Sequence, residues 1–147
     1  MILPDIAASL ATLCAALYLV WFCYRPSSAL KTLIKTASVL LLAVVAGLNG
    51  APTMLILALV LCAVGDFFLS LDSERSFLVG VAAFAAGHIA YIVLFIGHPT
   101  SDFAAVPTSA IIALALFAAL MMALLYHRAG ILRLAVLAYV PVIVGMG

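Results

Sequence analysis

An aspartate within an apolar segment has the clearest chemical potential of any residue in this sequence. Asp66 lies in LVLCAVGDFFLSL, next to Gly65 and one helical turn from both Cys62 and Ser70. A carboxyl group in apolar surroundings is costly unless it is paired, hydrated or protonated, and burial favours the protonated form. A neutral acid near pH 7 can act as a general acid. We therefore predict that Asp66 is a catalytic carboxylate; otherwise it reaches the membrane interface or pairs with Arg75.

A histidine and several aromatic residues share one face of the segment at 77–95, FLVGVAAFAAGHIAYIVLF. At about 100° per residue, a helix brings two glycines, three aromatic residues and the histidine to that face. These residues are Gly80, Phe84, Gly87, His88, Tyr91 and Phe95. Glycines allow close approach of a helix or a ligand, so we predict that the face lines an acyl-chain tunnel with His88 as its polar point. Alternatively, it is an ordinary packing face whose histidine donates to a backbone carbonyl oxygen.

Two further polar residues are candidate contacts for a substrate. Lys35 lies one turn into the second apolar segment, where it can bind a phosphate, pair with Asp66 or anchor the helix end at the membrane surface. Tyr139 lies deep in the last apolar segment and can hydrogen-bond within a bundle. Counted from the loop between them, Asp66 and His88 differ by roughly 9 Å in depth. We therefore expect a line of polar groups along one cavity rather than a hydrogen-bonded dyad.

The sequence lacks the common motifs of nucleotide, serine and zinc chemistry. It contains no Walker loop, GxSxG elbow, HExxH pair or CxxC motif. Cys14, Cys23 and Cys62 lie in apolar runs, which is more typical of packing residues than of a disulfide framework or a zinc site. We therefore expect neither a metal nor another cofactor.

The composition predicts an integral membrane protein. Of the 147 residues, 69% are hydrophobic and 7% are charged, and the mean hydropathy is +1.44. About a quarter of the residues of a soluble domain are charged. So few charged side chains cannot cover a globule with solvated surface. They exclude a soluble domain, a disordered chain and a protein that binds nucleic acid through a basic patch.

Charged residues and prolines divide the chain into six apolar segments, and we predict an all-α membrane protein with six transmembrane helices. The predicted helices span about 6–24, 32–48, 53–71, 77–97, 106–126 and 131–147. The loops are short, so consecutive helices run antiparallel, and residues 1–147 form a single transmembrane domain. The chain stops at VGMG inside the last apolar segment, and we expect it to be incomplete at its C-terminus.

The Lys and Arg residues predict the orientation in the membrane. All six lie in the first, third and fifth connections or within one turn of them, among them Arg25, Arg75 and Arg128. The positive-inside rule places these connections in the cytoplasm and the N-terminus outside. Because the N-terminus lacks a basic region, we interpret the first segment as a retained helix rather than a secretory signal peptide. A short chain rich in Ala and Leu favours a bacterial inner membrane.

Two adjacent segments resemble a known family. The segment AVGDFFLSL at 63–71 places Asp66 directly after a glycine. The next segment has the pattern F-x2-G-x3-F-x3-H-x2-Y at Phe77, Gly80, Phe84, His88 and Tyr91. Together they resemble the lysoplasmalogenase family of integral membrane hydrolases, the YhhN-like proteins. TLIKTASVLL resembles the family's second-helix entry, although Thr36 stands where the family usually has proline, and LAYVPVIVGM, which contains Tyr139 and Met146, resembles a later helix.

The resemblance implies an eight-helix bundle that hydrolyses the vinyl ether of a lysoplasmalogen to a fatty aldehyde and a glycerophospho-base of choline or ethanolamine. It implies a lysophospholipid and the bilayer as partners, with Asp66 as the catalytic residue. The residues that would bind substrate are Lys35, Gly80, Phe84, Gly87, His88, Tyr91 and Tyr139. A second acidic residue of the family would lie beyond residue 147, so the 147-residue chain by itself is expected to have little or no activity.

Two other functions fit the same polar residues. In a small proton-coupled transporter, Asp66 and His88 would form a proton relay, and the protein would show proton-coupled flux without a product. A non-catalytic lipid-binding protein would bind a lysolipid and leave it intact.

Overall fold

The computed structural model describes residues 2–97 and 107–128, and helices make up nearly all of them. Within this part of the chain there are five helices and no strand. They are α1 (Ile2–Leu17, continued by a π-helical turn at Tyr18–Phe22), α2 (Ala29–Leu48), α3 (Thr53–Leu69), α4 (Glu74–Gly97) and α5 (Thr108–Arg128). The predicted all-helical architecture is confirmed for these residues.

The six predicted membrane spans are not confirmed in the part of the chain that the structure describes. Of the helices described, three are long and apolar enough to cross a membrane, namely Ile2–Phe22, Ala29–Leu48 and Glu74–Gly97. Two more, Thr53–Leu69 and Thr108–Leu124, are apolar but shorter. The third segment falls short of its predicted end at 71 because a turn begins at Ser70. The predicted sixth helix at 131–147, which contains Tyr139, lies outside the described residues.

Side-chain caps explain why two helices begin earlier than predicted. The predicted start of the second helix at 32 is wrong, because Ser28 Oγ accepts a hydrogen bond from the Lys31 N–H and the helix begins at Ala29. The predicted start of the fourth helix at 77 is also wrong. Ser73 Oγ accepts from the Ser76 N–H, so α4 begins at Glu74. Apolar periodicity indicates only the buried or lipid-facing part of a helix. A capped helix has an additional polar first turn, which the periodicity does not show.

Small residues pack the bundle, and large apolar residues face outward. Contacts run in chain order, from α1 to α2, α2 to α3 and α3 to α4. The buried apolar residues are mostly alanines, such as Ala11, Ala58 and Ala63, whereas the side chains of Val20 and Trp21 are more than half exposed. In a bilayer, burying a large apolar side chain inside the bundle gives no hydrophobic stabilisation, because the lipid tails are equally apolar. Small residues let helix backbones approach closely. The packing is therefore typical of helices in a bilayer.

The first and third connections meet at one end of the bundle, which we call the loop end (residues 23–28 and 70–73). Ser27 Oγ donates to the Ser70 carbonyl oxygen at 2.9 Å. Lys31 Nζ donates to the carbonyl oxygen of Arg25 at 2.7 Å, and the Arg25 guanidinium lies 4.5 Å from the centre of the Trp21 ring. Basic residues beside an aromatic ring are typical of a membrane–water interface.

Candidate functional site

A buried ion pair joins α2 to α3 near the loop end. Lys35 Nζ lies 2.9 Å from Asp66 Oδ1. The side chain of Lys35 is 24% exposed and that of Asp66 is 11% exposed. Of the three contacts that the sequence left open for Lys35, the structure therefore contains the pair with Asp66.

The direction of helical side chains explains why these two residues meet. Lys35 lies six residues after the start of α2, and Asp66 lies three residues before the end of α3, so the lysine begins deeper in the bundle. Side chains on a helix tilt toward its N-terminus. In α2 this direction is toward the loop end, and in antiparallel α3 it is away from it. The long lysine side chain and the short aspartate side chain consequently converge at one depth.

The pair bears on the predicted role of Asp66. The sequence predicted a buried acid that is available in its neutral form, with pairing to Arg75 or Lys35 as alternatives. An ammonium group 2.9 Å away can form a charge-assisted hydrogen bond with the Asp66 side chain, and such a bond strengthens where water is scarce. The alternative partner, Arg75, lies in the exposed first turn of α4. In this structure the side chain of Asp66 is therefore held by Lys35, and its role as a proton donor stays a prediction.

The glycine before Asp66 fixes the distance between α3 and α4. A Cβ atom built on Gly65 would lie 2.7 Å from Cε2 of the Phe84 ring, well inside van der Waals contact. The ring of Phe84 therefore lies against the backbone next to Asp66. This position requires glycine because a helix backbone and an aromatic ring otherwise cannot approach so closely.

The two glycines predicted to line a tunnel lie instead in the α3–α4 contact. A Cβ atom on Gly80 would be 3.1 Å from the Leu69 backbone nitrogen, and one on Gly87 would be 3.1 Å from both the Ala58 carbonyl oxygen and Cys62 Sγ. Both glycines are buried. Their observed contacts are those of a packing face, and a role in lining a substrate tunnel stays a prediction.

We expect Gly87→Leu to separate α3 from α4, because the new side chain would overlap the backbone of Ala58 rather than a movable side-chain end. The matched control is Ala86→Leu, which adds a leucine to the same turn at an exposed position. Unfolding of each purified variant in a detergent titration should show a loss of about 1–3 kcal/mol for Gly87→Leu and little change for Ala86→Leu. Equal stability of the two variants would contradict the packing role.

The aromatic face of α4 forms a column of rings. The centres of Phe84 and His88 lie 6.3 Å apart, those of His88 and Tyr91 6.5 Å apart, and those of Tyr91 and Phe95 6.0 Å apart. His88 Nδ1 lies 2.7 Å from the Phe84 carbonyl oxygen, which can only accept, so this nitrogen carries a proton and donates. This hydrogen bond is the one expected if the face packs within the bundle. The contact of His88 and Tyr91 with a substrate stays a prediction.

A small polar cavity of about 230 Å³ opens beside the ion pair at the loop end. We call it the basic cavity. Its polar lining comes from α1, α2 and the two connections and comprises Tyr18, Ser27, Lys31, Lys35, Ser70 and Asp72. Tyr18 begins the π-helical turn of α1, a widened turn that often occurs at functional sites. The cavity gives Lys35 a side open to a ligand as well as its partner Asp66.

A second, mostly apolar cavity of about 500 Å³ lies between the ends of α2 and α3. It shares Ser27, Ser70 and Asp72 with the basic cavity, and Leu33 and Phe67 line it from faces that are exposed in the bundle. Thr36 also lines it, and its buried hydroxyl has no hydrogen-bond partner among the residues that the structure describes. An apolar space open at the side of the bundle suits a hydrocarbon chain.

A known protein family matches most of the chain. The profile of the YhhN family matches residues 30–147. The chain belongs to the YhhN family. This family includes lysoplasmalogenases. No curated protein and no solved structure shows significant similarity to the chain.

In this YhhN protein, the matched region contains both members of the Lys35–Asp66 pair and all of α3 and α4. Sequence reasoning found Asp66 and Lys35 and named their pairing as one alternative. Neither Lys31 nor Asp72 was predicted from the sequence as a site residue. The sequence could predict only part of the cavity that they share. The spacing of Lys31 and Lys35 places them on one helical face, but it does not show which loop lies against that face.

Proposed function

We propose that this YhhN protein hydrolyses the vinyl ether of a lysoplasmalogen, with the Lys35–Asp66 pair at the reacting centre. The observation that carries the proposal is a nearly buried carboxylate, held 2.9 Å from an ammonium group. Both residues lie in the region that matches a family including lysoplasmalogenases. A carboxylate placed in an apolar bundle beside cavities with polar and apolar linings suits an amphiphilic substrate whose transition state is positively charged.

The reaction divides into proton addition, water addition and collapse. A proton adds to the β-carbon of the enol ether, and an oxocarbenium ion forms. Water then adds to the α-carbon and loses a proton, and the resulting hemiacetal collapses to a fatty aldehyde and a free glycerol hydroxyl. The reaction consumes one water and involves no net oxidation or reduction, so it needs no redox cofactor.

Asp66 fits the second step best. A carboxylate held beside the Lys35 ammonium can stabilise the oxocarbenium ion and accept the proton of the attacking water, as the carboxylates of glycosidases do. For the first step, the resemblance implies a second acidic residue that works with Asp66, and we assign the initial proton donation to it. Lys35 is then a positioning residue that holds the carboxylate and its charge.

The test uses the protein expressed from its whole reading frame, purified in detergent. We expect aldehyde release from a lysoplasmalogen and none from the matched lysolipid with a saturated ether at the same position, because only the enol ether can be protonated at carbon. Binding of both lipids without aldehyde release would make the protein a lipid-binding protein. Proton flux in liposomes without a product would make it a transporter.

We further propose that the loop end lies in the cytoplasm of a bacterial inner membrane, with the N-terminus outside, because Arg25, Lys31, Lys35 and Arg75 lie in or near the connections at that end. With the native Cys14, Cys23 and Cys62 replaced by alanine, Ala51→Cys should react with an impermeant maleimide in intact cells. Ser73→Cys should react only after the membrane is opened. The reverse pattern would invert the orientation.

A further inference from the structure

The basic cavity contains charges of both signs. Lys31 and Lys35 line it from successive turns of α2, and Asp72 lines it from the connection between α3 and α4. Asp66 neutralises Lys35 at 2.9 Å. The remaining charges of the lining are therefore one ammonium, that of Lys31, and one carboxylate, that of Asp72.

Lys31 is held in place in a way that leaves it able to bind an anion. Its Nζ donates to the carbonyl oxygens of Cys23 and Arg25, at 3.3 and 2.7 Å. An ammonium group has three N–H donors, so these bonds leave one for a ligand. Tyr18 lines the same space, and its hydroxyl can donate to a further phosphate oxygen, whereas the Ser27 hydroxyl already donates to the Ser70 carbonyl oxygen.

Asp72 makes the cavity a poor site for a simple anion. Its carboxylate would repel a phosphate monoester that entered to bind Lys31, because like charges that share one small cavity disfavour each other. A ligand that carries a phosphate and a cationic amine together would satisfy both charges. The volume of about 230 Å³ lies below the range of pockets that hold whole drug-sized ligands, so it suits a headgroup rather than a complete lipid.

We propose that Lys31 and Asp72 select the headgroup of the substrate, with Lys31 binding the phosphate and Asp72 the cationic amine of a zwitterionic lysophospholipid. The proposal rests on the proposed function for the identity of the lipid. Lys31 lies one turn from Lys35 toward the loop end, a rise of about 6 Å. The glycerol backbone separates the phosphate from the ether by a similar span. A headgroup bound at Lys31 therefore brings the ether oxygen to the depth of the Lys35–Asp66 pair.

The test measures binding to lysolipids that contain a saturated ether, which cannot be cleaved by this chemistry. One probe carries phosphocholine, and the other carries a phosphate monoester. The protein in detergent should bind the zwitterionic probe at least about tenfold more tightly than the anionic one. Asp72→Asn should abolish this preference, and Lys31→Gln should weaken both probes by about tenfold or more, as expected for the loss of a charge-assisted hydrogen bond.

Two controls separate headgroup selection from general damage. Glu74→Gln removes an acid from the first turn of α4, next to the loop end, and Glu74 does not line the cavity. This variant should bind both probes as the unmodified protein does. Lys31→Arg keeps the charge and should retain binding. Unchanged selectivity in Asp72→Asn, unchanged affinity in Lys31→Gln, or no saturable binding of either probe would overturn the proposal. Because neither probe can be hydrolysed, a failure of the proposed hydrolysis would leave these outcomes intact.

Discussion

Asp66→Asn is expected to lower aldehyde release from a lysoplasmalogen by about 10²-fold or more in the protein expressed from its whole reading frame. The amide keeps the shape of the side chain but can neither carry a negative charge against an oxocarbenium ion nor accept the proton of the attacking water. The readout is the initial rate of aldehyde formation at saturating substrate. Undiminished release by this variant would remove Asp66 from the reacting centre and leave it as a structural acid.

The ion pair requires a control for stability in that experiment. Asparagine leaves the Lys35 ammonium without its carboxylate partner, so some loss of stability accompanies the loss of charge. Lys35 is 24% exposed and lies near the loop end, where its long side chain can turn toward water. Binding of the saturated-ether lysolipid should therefore persist in Asp66→Asn. A variant that neither binds nor releases aldehyde would point to unfolding instead of lost chemistry.

Breaking the pair from the lysine side is expected to cost more stability than breaking it from the aspartate side. Lys35→Met leaves a carboxylate that is only 11% exposed without a partner, and we expect a loss of about 1–3 kcal/mol. Asp66→Leu should cost less, because the remaining lysine can reach water. The double variant should recover much of the loss, because no uncompensated charge then stays buried.

The measurement is a double-mutant cycle on the free energy of unfolding in a detergent titration. A coupling energy near zero, with the two single losses simply adding, would mean that the two groups do not stabilise each other in the membrane. Aldehyde release by the double variant should stay as low as that of Asp66→Asn. Restored stability without restored activity would separate the structural role of the pair from the chemical role of Asp66.

Much of the architecture followed from local sequence, and the differences have local causes. Apolar segments predicted all five described helices, because a backbone in hydrocarbon must satisfy its hydrogen bonds internally. The start of α1 lies at Ile2 and not at 6, and that of α5 at Thr108 and not at 106. Those of α2 and α4 were misplaced because Ser28 and Ser73 cap polar first turns that hydropathy cannot detect. The π-helical turn at Tyr18–Phe22 was not predicted either, since nothing in the residue types of that turn distinguishes it from an α-helix.

The candidate site was predictable as residues but not as contacts. Burying an acidic side chain in an apolar segment costs free energy, so such residues are rare there, and Asp66 could be singled out from the sequence alone. The structure places both Gly80 and Gly87 of the predicted face against α3. Glycine permits close approach by a ligand and by a helix equally well, and only the position of α3 shows that a helix occupies this face.

The sequence by itself determined that the chain is helical and apolar, that Asp66 is its most conspicuous intramembrane acid, and that the chain resembles the YhhN family. These properties depend on residue types and their spacing along one segment. Only the tertiary structure decided that Asp66 faces Lys35, and that Lys31 and Asp72 share a cavity with that pair. The rotation and depth of α2 against α3 set these contacts, and they depend on the packing of the whole bundle, which no single segment encodes.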